Sequence, residues 1–237
     1  MRVTEETRTR VTPAANAGMV PSSLRSQIYA DLRRRLQRAE FGPRHRLVDT
    51  EVAARYGTSR MPAREALMAL ASQGFLQQTT RGFAVPDHSS RDIRDIFAVR
   101  RLLEPEAAAA AARNLDEDGL AALLAARDLA REACGNGDAE GLMEANIAFR
   151  GIWLDAVDNS RLVETIEGFR DHIQTVRIST LRRATTRVVV LDGIEALSAA
   201  FAERDAAAVR AGMHAFMDAA EAEFFDAVKA DGRDEGQ

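Results

Sequence analysis

The fold is decided by residues Val48–Leu76, which read VDTEVAARYGTSRMPAREALMALASQGFL. Gly57 separates two runs with helical spacing, and glycine permits the tight turn that joins the two helices of a helix-turn-helix. We predict helices over Asp49–Tyr56 and Ser59–Ser72, each with its first residue as N-cap. Pro62 falls in the first turn of the second helix, where its missing N–H is tolerated. The stretch therefore predicts a helix-turn-helix.

The flanking sequence completes this unit. Apolar residues recur every four positions in Ser22–Gln37, which predicts a preceding helix. Two short runs, Phe75–Gln78 and Phe83–Pro86, surround a turn that ends at Gly82, and this pattern indicates a β-hairpin. Three helices followed by a hairpin are the element order of a winged helix-turn-helix.

The rest of the chain is helical in character. Val188–Leu191 has the composition of a strand, but the pattern on both sides is helical, so we assign it to a helix. We predict a mainly α protein, in which an all-α helical bundle with its own core follows the winged helix. The predicted helices span 91–113, 117–134, 138–157, 159–181, 187–203 and 205–230.

The composition divides the chain into five parts. We predict a disordered arm (1–21), a winged helix-turn-helix (22–86), a linker (87–90), a helical domain (91–230) and a polar tail (231–237). The arm is either idle or in contact with DNA phosphates. The single Cys134 excludes an internal disulfide and a cysteine-rich zinc motif. With neither a signal peptide nor a membrane-spanning run, we expect a cytoplasmic protein.

Charge is distributed unevenly along the chain. Residues 1–86 carry 14 arginines and 7 acidic residues, a net charge of +7. Residues 87–237 carry 18 basic and 29 acidic residues, a net charge of −11. This asymmetry indicates that the first part of the chain meets a polyanion.

The second helix of the motif carries the candidate DNA contacts. Arg60 and Arg64 are four residues apart and share one face, and arginine matches both guanine and phosphate. Taken alone, each arginine would more often be a solvated surface charge, but their placement within the whole motif favours contact with DNA. The hydroxyls of Thr50, Thr58 and Ser59 can donate to phosphates. At the wing tip, Arg81 and Gly82 suit the adjacent minor groove.

The stretch GTSRMPAREALMALASQGFL, followed by RGFAV, resembles the GntR family of transcriptional regulators. The resemblance covers about 25–86 and implies that Arg60 and Arg64 contact bases or phosphates. It also implies that Ser59, Met61 and Gly82 line the DNA. Relatives often carry Arg at the position of Thr50, which implies a weaker phosphate contact here.

The second half resembles the FCD subfamily, whose helical domain binds effectors. The resemblance rests on Ile96–Glu104 (IFAVRRLLE), Asn146–Leu162 (NIAFRGIWLDAVDNSRL) and Glu203–Met217 (ERDAAAVRAGMHAFM). Many FCD domains bind a divalent metal through one Asp and three His. The corresponding positions here are Asn146, Arg150, Ile194 and Phe216. His214 is two residues from an expected ligand and faces about 200° away on the helix. We therefore predict no metal site of this type and no cofactor.

The altered metal positions lead to a hypothesis about the effector. Arg150 could replace the metal and bind a carboxylate or phosphate of the effector, with Asn146 adding an amide hydrogen bond. Alternatively, Arg150 forms an internal salt bridge and the pocket is empty or apolar. His172 and Arg177 could complete a polar pocket, or they are surface or structural residues. Glu104 and Arg100 are spaced to stabilise their own helix.

Two functions remain open at this stage. The first is a repressor or activator that binds a palindromic double-stranded DNA operator as a homodimer and responds to a small molecule, expected to be an organic acid. The second is an architectural DNA-binding protein without a sensor. An enzyme is not expected, because no catalytic triad, P-loop, GxGxxG or HExxH motif occurs and the four histidines are scattered.

Overall fold

The computed structural model describes residues 23–230, apart from the side chain of Asp171. Both termini of the sequence, including the predicted arm and the predicted tail, lie outside these described residues. Within 23–230 the chain forms ten helices and three short strands. The helices are α1 (Leu24–Gln37), α2 (Asp49–Arg55), α3 (Arg60–Ser72), α4 (Ser90–Asn114), α5 (Glu117–Gly135), α6 (Ala139–Asp155), α7 (Ser160–Glu167), α8 (Arg170–Thr180), α9 (Ala184–Ala202) and α10 (Ala206–Ala230). The strands are β1 (Arg46–Leu47), β2 (Gln77–Thr79) and β3 (Gly82–Ala84).

Helices α1, α2 and α3 pack around one apolar core beneath the small sheet, as the sequence predicts for a winged helix. Ser23 caps α1 by accepting a hydrogen bond from the backbone N–H of Ser26 at 3.2 Å. Gly57 has a φ of 61°, and this left-handed conformation allows the turn between α2 and α3. The side chains that fill this core are almost fully buried: Ile28, Leu32, Leu67, Leu70, Phe75 and Leu76.

The wing contains one strand more than predicted. Strand β1 pairs antiparallel with β3, which also pairs antiparallel with β2, so the order is β1-β3-β2. In this register Leu47 lies opposite Phe83, and both side chains are buried. The two residues of β1 are too few to show an alternating pattern, so the sequence could not reveal this strand.

Helices α4 to α10 form the second domain, and the prediction of an all-helical bundle is confirmed. Helix α10 packs on α4 and α9, and α5 packs on α6 and α9. The alanines of 107–112 are nearly all fully buried, and their small side chains allow the helices to approach closely. The run Val188–Leu191 lies inside α9 and is helical, as predicted.

One predicted helix is divided in two. The span 159–181 forms α7, which ends at Glu167, and α8, which begins at Arg170. Gly168 occupies the C-cap of α7, and glycine has the lowest helix propensity of any residue except proline. The break places Glu167 and Arg170 side by side at the domain junction.

The two domains are in contact along α1. Arg38 forms an ion pair with Glu140 at 2.9 Å, and Arg33 forms one with Glu144 at 3.2 Å. The buried amide of Gln37 lies 3.5 Å from the sulfur of Met143. Helix α6 therefore lies beside the first helix of the winged domain. Over 23–230, no helix combines the length and the apolar character that crossing a membrane requires.

Candidate functional site

The recognition-helix position is taken by α3, and its two predicted arginines lie together at the exposed start of that helix. The side chains of Arg60 and Arg64 are 67% and 53% exposed. Both guanidinium groups form ion pairs with the carboxylate of Asp49, at 3.2 Å for Arg60 and 3.7 Å for Arg64. The sequence therefore placed these two cations correctly on one accessible face, but missed the acid between them.

Asp49 is not the helix cap that we predicted. The N-cap of α2 is Val48, which has no side-chain cap hydrogen bond, and Asp49 is the first helical residue. Its side chain is only 10% exposed and turns towards α3. The hydrogen bond from Arg60 lowers the pKa of Asp49, so the carboxylate is ionised near neutral pH. Asp49 thus holds the two guanidinium groups together at the start of α3.

The other predicted contacts on α2 and α3 are at least partly accessible. Thr50, Ser59 and Met61 are exposed, and Thr58 is partly exposed. Ser59 occupies the N-cap position, but its side chain does not cap α3, contrary to our expectation. Met61 is 65% exposed, an unusual position for a large apolar side chain and one suited to contact with a thymine methyl group.

The wing contributes a second basic edge. Arg81 is exposed at the turn, and its backbone carbonyl accepts a hydrogen bond from Arg46 at 3.2 Å. Arg46 is therefore a further cation at the wing that sequence reasoning missed, because β1 itself was not predicted. Gly82 has a φ of 112°, and a Cβ atom there would lie 2.9 Å from the carbonyl oxygen of Leu47. Position 82 therefore requires glycine because its backbone packs closely against strand β1 of the protein itself.

A second site lies inside the helical domain. Helices α4, α6, α8, α9 and α10 enclose a cavity of about 70 Å³. Large apolar side chains form most of its wall, among them Phe97, Phe149, Trp153 and Phe216. Polar groups also line it, and these are Arg100, Glu104, Asn146, Arg150, Arg177, Thr180, Thr186 and Glu223. An apolar cavity with few convergent polar groups is the usual form of a small-molecule site.

Glu104 is the central acid of this cavity. It is 2% exposed and forms ion pairs with Arg100 at 2.7 Å and with Arg150 at 3.5 Å. Burial acts to raise the pKa of Glu104, but the charges of Arg100 and Arg150 outweigh it and hold the pKa below its usual value. Glu104 is therefore ionised and already committed to two guanidinium groups. The spacing of Glu104 and Arg100 predicted only a helix-stabilising pair.

Arg150 has an internal acidic partner, as one of our two alternatives held. Its Nη1 donates to Glu167 at 2.7 Å, so part of its charge is already compensated. Its Nε and Nη2 are buried and form no hydrogen bond with any described residue. Since Nη2 forms the ion pair with Glu104, Arg150 combines internal salt bridges with a free Nε donor at the cavity wall. An internal salt bridge and anion binding by Arg150 are therefore not mutually exclusive.

Arg177 differs from its neighbours because it forms no ion pair with a described carboxylate. Its Nη2 donates to the amide oxygen of Asn146 at 3.2 Å, so the structure brings these two candidate residues together. Burial, together with the nearby charges of Arg150 and Arg100, lowers the pKa of Arg177 to about 9, and the negative charge of Glu104 offsets this only in part. The cavity wall therefore holds a guanidinium group that has no ion-pair partner among the described side chains.

His172 is not part of the cavity, so its predicted role in the pocket is wrong. Its ring stacks on that of His88 from the linker, with ring centroids 3.7 Å apart. Residues Ile173, Val176 and Arg177 of the same helix line the cavity, whereas His172 does not. The helical spacing alone did not reveal which face of α8 would be turned inward.

The metal-ligand positions implied by the family resemblance do not fit a divalent cation here. Asn146 and Arg150 both line the cavity, but Asn146 is neutral and Arg150 is cationic. Ile194 is completely buried and Phe216 is aromatic, while His214 is exposed on α10. In residues 23–230, no three His, Cys, Asp or Glu side chains are grouped as a metal site would need.

An exposed basic recognition helix beside a basic wing, joined to a helical domain with an internal cavity, defines a DNA-binding transcriptional regulator. Comparison with known families agrees. The chain belongs to the gntR family of bacterial regulatory proteins, whose sequence model matches residues 24–85, and carries an FCD domain, which matches residues 95–219. The chain is accordingly a regulator and not an enzyme, as the sequence indicated.

Curated relatives are regulators of the same kind. The chain is 29% identical over 161 residues to the uncharacterized HTH-type transcriptional regulator YdhC of Bacillus subtilis, covering 67% of this chain and 71% of the relative. It is 33% identical over 129 residues to the HTH-type transcriptional regulator McbR of Escherichia coli, covering 54% and 58%. It is 27% identical over 188 residues to the HTH-type transcriptional repressor RspR of Escherichia coli, covering 79% and 82%.

Solved structures share the whole architecture. The structure of E. coli McbR/YncC matches 88% of this chain and 99% of that chain, with a TM-score of 0.68 and 26% identity. A putative transcriptional regulator GntR from Rhodococcus sp. RHA1 matches 85% and 97%, with a TM-score of 0.64. Its sequence identity of 21% supports the fold alone.

Proposed function

We propose that this regulator binds its operator under the control of a small organic anion held in the cavity of the helical domain. The observation that carries this proposal is Arg177, a buried cation at an apolar cavity without an ion-pair partner among the described residues. A buried charge is strongly disfavoured unless it is paired, so this position favours a ligand that supplies a carboxylate. Asn146 holds the guanidinium group in place, and the Nε of Arg150, which forms no hydrogen bond with the described residues, offers a further donor.

The cavity also limits the size of the ligand. A volume of about 70 Å³ with mostly aromatic and aliphatic walls favours a short carboxylate with an apolar body. This differs from our first hypothesis, in which Arg150 was the principal anion-binding group. Since Arg150 already contacts Glu167 and Glu104, we assign the leading role to Arg177 and a supporting role to Arg150.

The alternative of an architectural DNA-binding protein requires only a solid helical core. A charged cavity within that core disfavours it, because an unpaired buried arginine lowers stability and does nothing for DNA binding. We therefore retain the sensing function. By analogy with the RspR relative, which is named a repressor, repression is the favoured direction of control.

We further propose that the chain binds a palindromic double-stranded operator as a homodimer and acts in the cytoplasm. Two copies of α3 would each read one half-site, with Arg60 and Arg64 contacting bases or phosphates. Thr50, Thr58, Ser59 and Met61 would line the same groove, and Arg81 would reach the adjacent minor groove from the wing. Arg46 stands beside Arg81 and joins this set.

Ligand binding is tested with butyrate as the probe. Titration calorimetry and thermal melts of the full chain should show saturable binding, and the melting temperature should rise with ligand concentration by mass action. Arg177→Met should abolish binding. Butylamine has a similar apolar body and the opposite charge, and serves as the control that should not bind. Equal binding of butyrate by the wild type and Arg177→Met would refute the assignment.

DNA binding is tested by selecting the preferred operator and measuring its affinity at several salt concentrations. Arg60→Ala and Arg64→Ala should each weaken binding by about 1–3 kcal/mol if the arginine is bidentate to guanine. Arg161→Ala is the control, because Arg161 is 88% exposed on α7 and far along the chain from α3. Unchanged operator affinity in the double variant Arg60→Ala/Arg64→Ala would reject α3 as the recognition helix.

A further inference from the structure

A chain of charged contacts leads from the cavity to the end of the recognition helix. Arg150 lines the cavity and donates to Oε1 of Glu167 at 2.7 Å. The other carboxylate oxygen of Glu167 contacts Arg170 at the start of α8. Arg170 in turn donates to the backbone carbonyl of Ser72. Ser72 is the last residue of α3, so three side chains link the cavity wall to the helix that reads DNA.

The contact between Arg170 and the Ser72 carbonyl stabilises the end of α3. The final carbonyls of a helix have no partner within the helix, and they form the negative end of its dipole. A guanidinium group at this end satisfies one carbonyl and stabilises the last turn. In this structure the group comes from the effector domain, since Arg170 lies 98 residues beyond Ser72 in the chain. The end of the recognition helix is therefore held from outside its own domain.

A ligand in the cavity can compete for the contact between Arg150 and Glu167. Arg150 is shared between Glu167 and Glu104, and its Nε remains free of hydrogen bonds to the described residues. A carboxylate that enters beside Arg177 therefore meets a free donor on Arg150 and competes with Glu167 for its charge. Glu167 then has both oxygens available for Arg170, and a carboxylate binds arginine best through both oxygens.

We propose that Glu167 and Arg170 transmit occupancy of the cavity to the recognition helix by exchanging partners. With the cavity empty, Arg150 holds Glu167, and Arg170 holds the Ser72 carbonyl. With an organic anion bound, Arg150 turns to the anion, Glu167 binds Arg170 through both oxygens, and Arg170 leaves Ser72. The end of α3 then loses its contact with the effector domain, and the winged domain changes its position on DNA. This inference rests on the proposed function, because it requires an anion in the cavity.

The fold offers a matched pair of residues for the test. On the same helix α7, Glu164 forms an ion pair with Arg161 at 2.9 Å, with the same three-residue spacing as Glu167 and Arg170. That pair is exposed and contacts neither the cavity nor α3. Glu164→Gln therefore removes the same charge from the same helix and leaves the proposed chain of contacts intact.

The measurement is hydrogen exchange of the full chain with and without saturating butyrate. The amides of Gln73, Gly74 and Phe75 close the end of α3 by donating to Leu70 and Ala71. In the wild type and in Glu164→Gln, butyrate should raise their exchange rates by about threefold or more. In Arg170→Gln, exchange should already be raised without butyrate and should not respond further. Calorimetry on the same samples should show that Arg170→Gln still binds butyrate, because Arg170 does not line the cavity.

The possible results distinguish the exchange of partners from the proposed sensing function. If the wild type binds butyrate but its α3 amides do not respond, or if Arg170→Gln responds like the wild type, the exchange of partners is refuted while the sensing function stands. If butyrate does not bind to the wild type, the proposed function fails and the inference fails with it. Glu167→Gln provides the second variant: a neutral amide cannot capture Arg170, so the exchange rates should stay at the level of the ligand-free wild type with and without butyrate.

Discussion

Replacing Arg177 with Met is the most informative single change in this protein. Methionine has similar length and no charge, so it can follow the path of the arginine side chain along the apolar wall. The change removes a buried cation that has an amide partner but no acidic partner among the described residues. We therefore expect Arg177→Met to be more stable than the wild type and unable to bind an organic anion.

The size of the gain follows from the pKa of Arg177. Its fall to about 9 from the usual value of an arginine side chain corresponds to about 5 kcal/mol of free energy that disfavours the charged form in the folded chain, at 1.36 kcal/mol per pKa unit. Arg177 keeps some exposed surface, and its replacement also loses the Asn146 hydrogen bond, about 1 kcal/mol. We expect a net increase of about 2 kcal/mol in the free energy of unfolding at pH 7. For a chain of this length, that raises the melting temperature by about 4–8 °C.

The pKa of Arg177 also determines how the stability difference between Arg177→Met and the wild type depends on pH. The folded chain holds the Arg177 proton less tightly than the unfolded chain, so the penalty is complete below the folded value of about 9. As the pH rises above about 9, the arginine loses its proton in the folded state and the penalty diminishes. The stability difference between Arg177→Met and the wild type should therefore be constant from pH 6 to about 8 and shrink towards pH 10.

Thermal melts followed by circular dichroism at pH 7 and pH 10 measure both effects. Arg161→Met is the control, because its side chain is 88% exposed and its replacement should change stability by less than about 0.5 kcal/mol. A melting temperature of Arg177→Met equal to or below that of the wild type at pH 7 would falsify the account of Arg177 as an uncompensated cation.

Three further predictions concern the two sites. Butyrate affinity should be constant from pH 6 to 8 and fall by about tenfold per unit well above pH 9, as calorimetry across pH can show, because Arg177 then loses the charge that binds the anion. Asp49→Asn should tighten operator binding by roughly threefold to tenfold and steepen the dependence of log affinity on log salt by about 1, measured by fluorescence anisotropy, because it frees Arg60 and Arg64 for phosphate. Gly82→Ala should lower the free energy of unfolding in urea by about 1–3 kcal/mol, because of its positive φ and its contact with β1. Gly42→Ala, at a position with open space, should have little effect.

Features determined by local sequence were predictable. The spacing of apolar residues and the positions of Gly57 and Pro62 were sufficient to predict α2 and α3, because helix formation depends on neighbouring residues. Strand β1 could not be predicted, because its two residues become a strand only by pairing with β3, in which Arg46 lies opposite Ala84 and Leu47 lies opposite Phe83.

In the candidate sites, too, features set by local sequence were predictable and features set by tertiary packing were not. Arg60 and Arg64 were placed correctly because the motif fixes them on one face of one helix. The acids that partner the arginines were missed: Asp49 read as a helix cap, and Glu104 read as a local pair with Arg100. Each of these acids meets an arginine from another helix, and such contacts depend on tertiary packing that no spacing in the sequence encodes.

The balance of charge around the cavity connects stability with regulation. Among the described side chains, Arg100, Arg150 and Arg177 line the cavity and face Glu104, while Glu167 is divided between Arg150 and Arg170. Glu223 also lines the cavity but is hydrogen-bonded to Thr186. The cluster is therefore deficient in negative charge, and an organic anion supplies it. The shortage of negative charge lowers the stability of the ligand-free protein, and the same shortage gives the anion its affinity. When the anion binds, the arginine contacts are redistributed, and this redistribution transmits binding to α3.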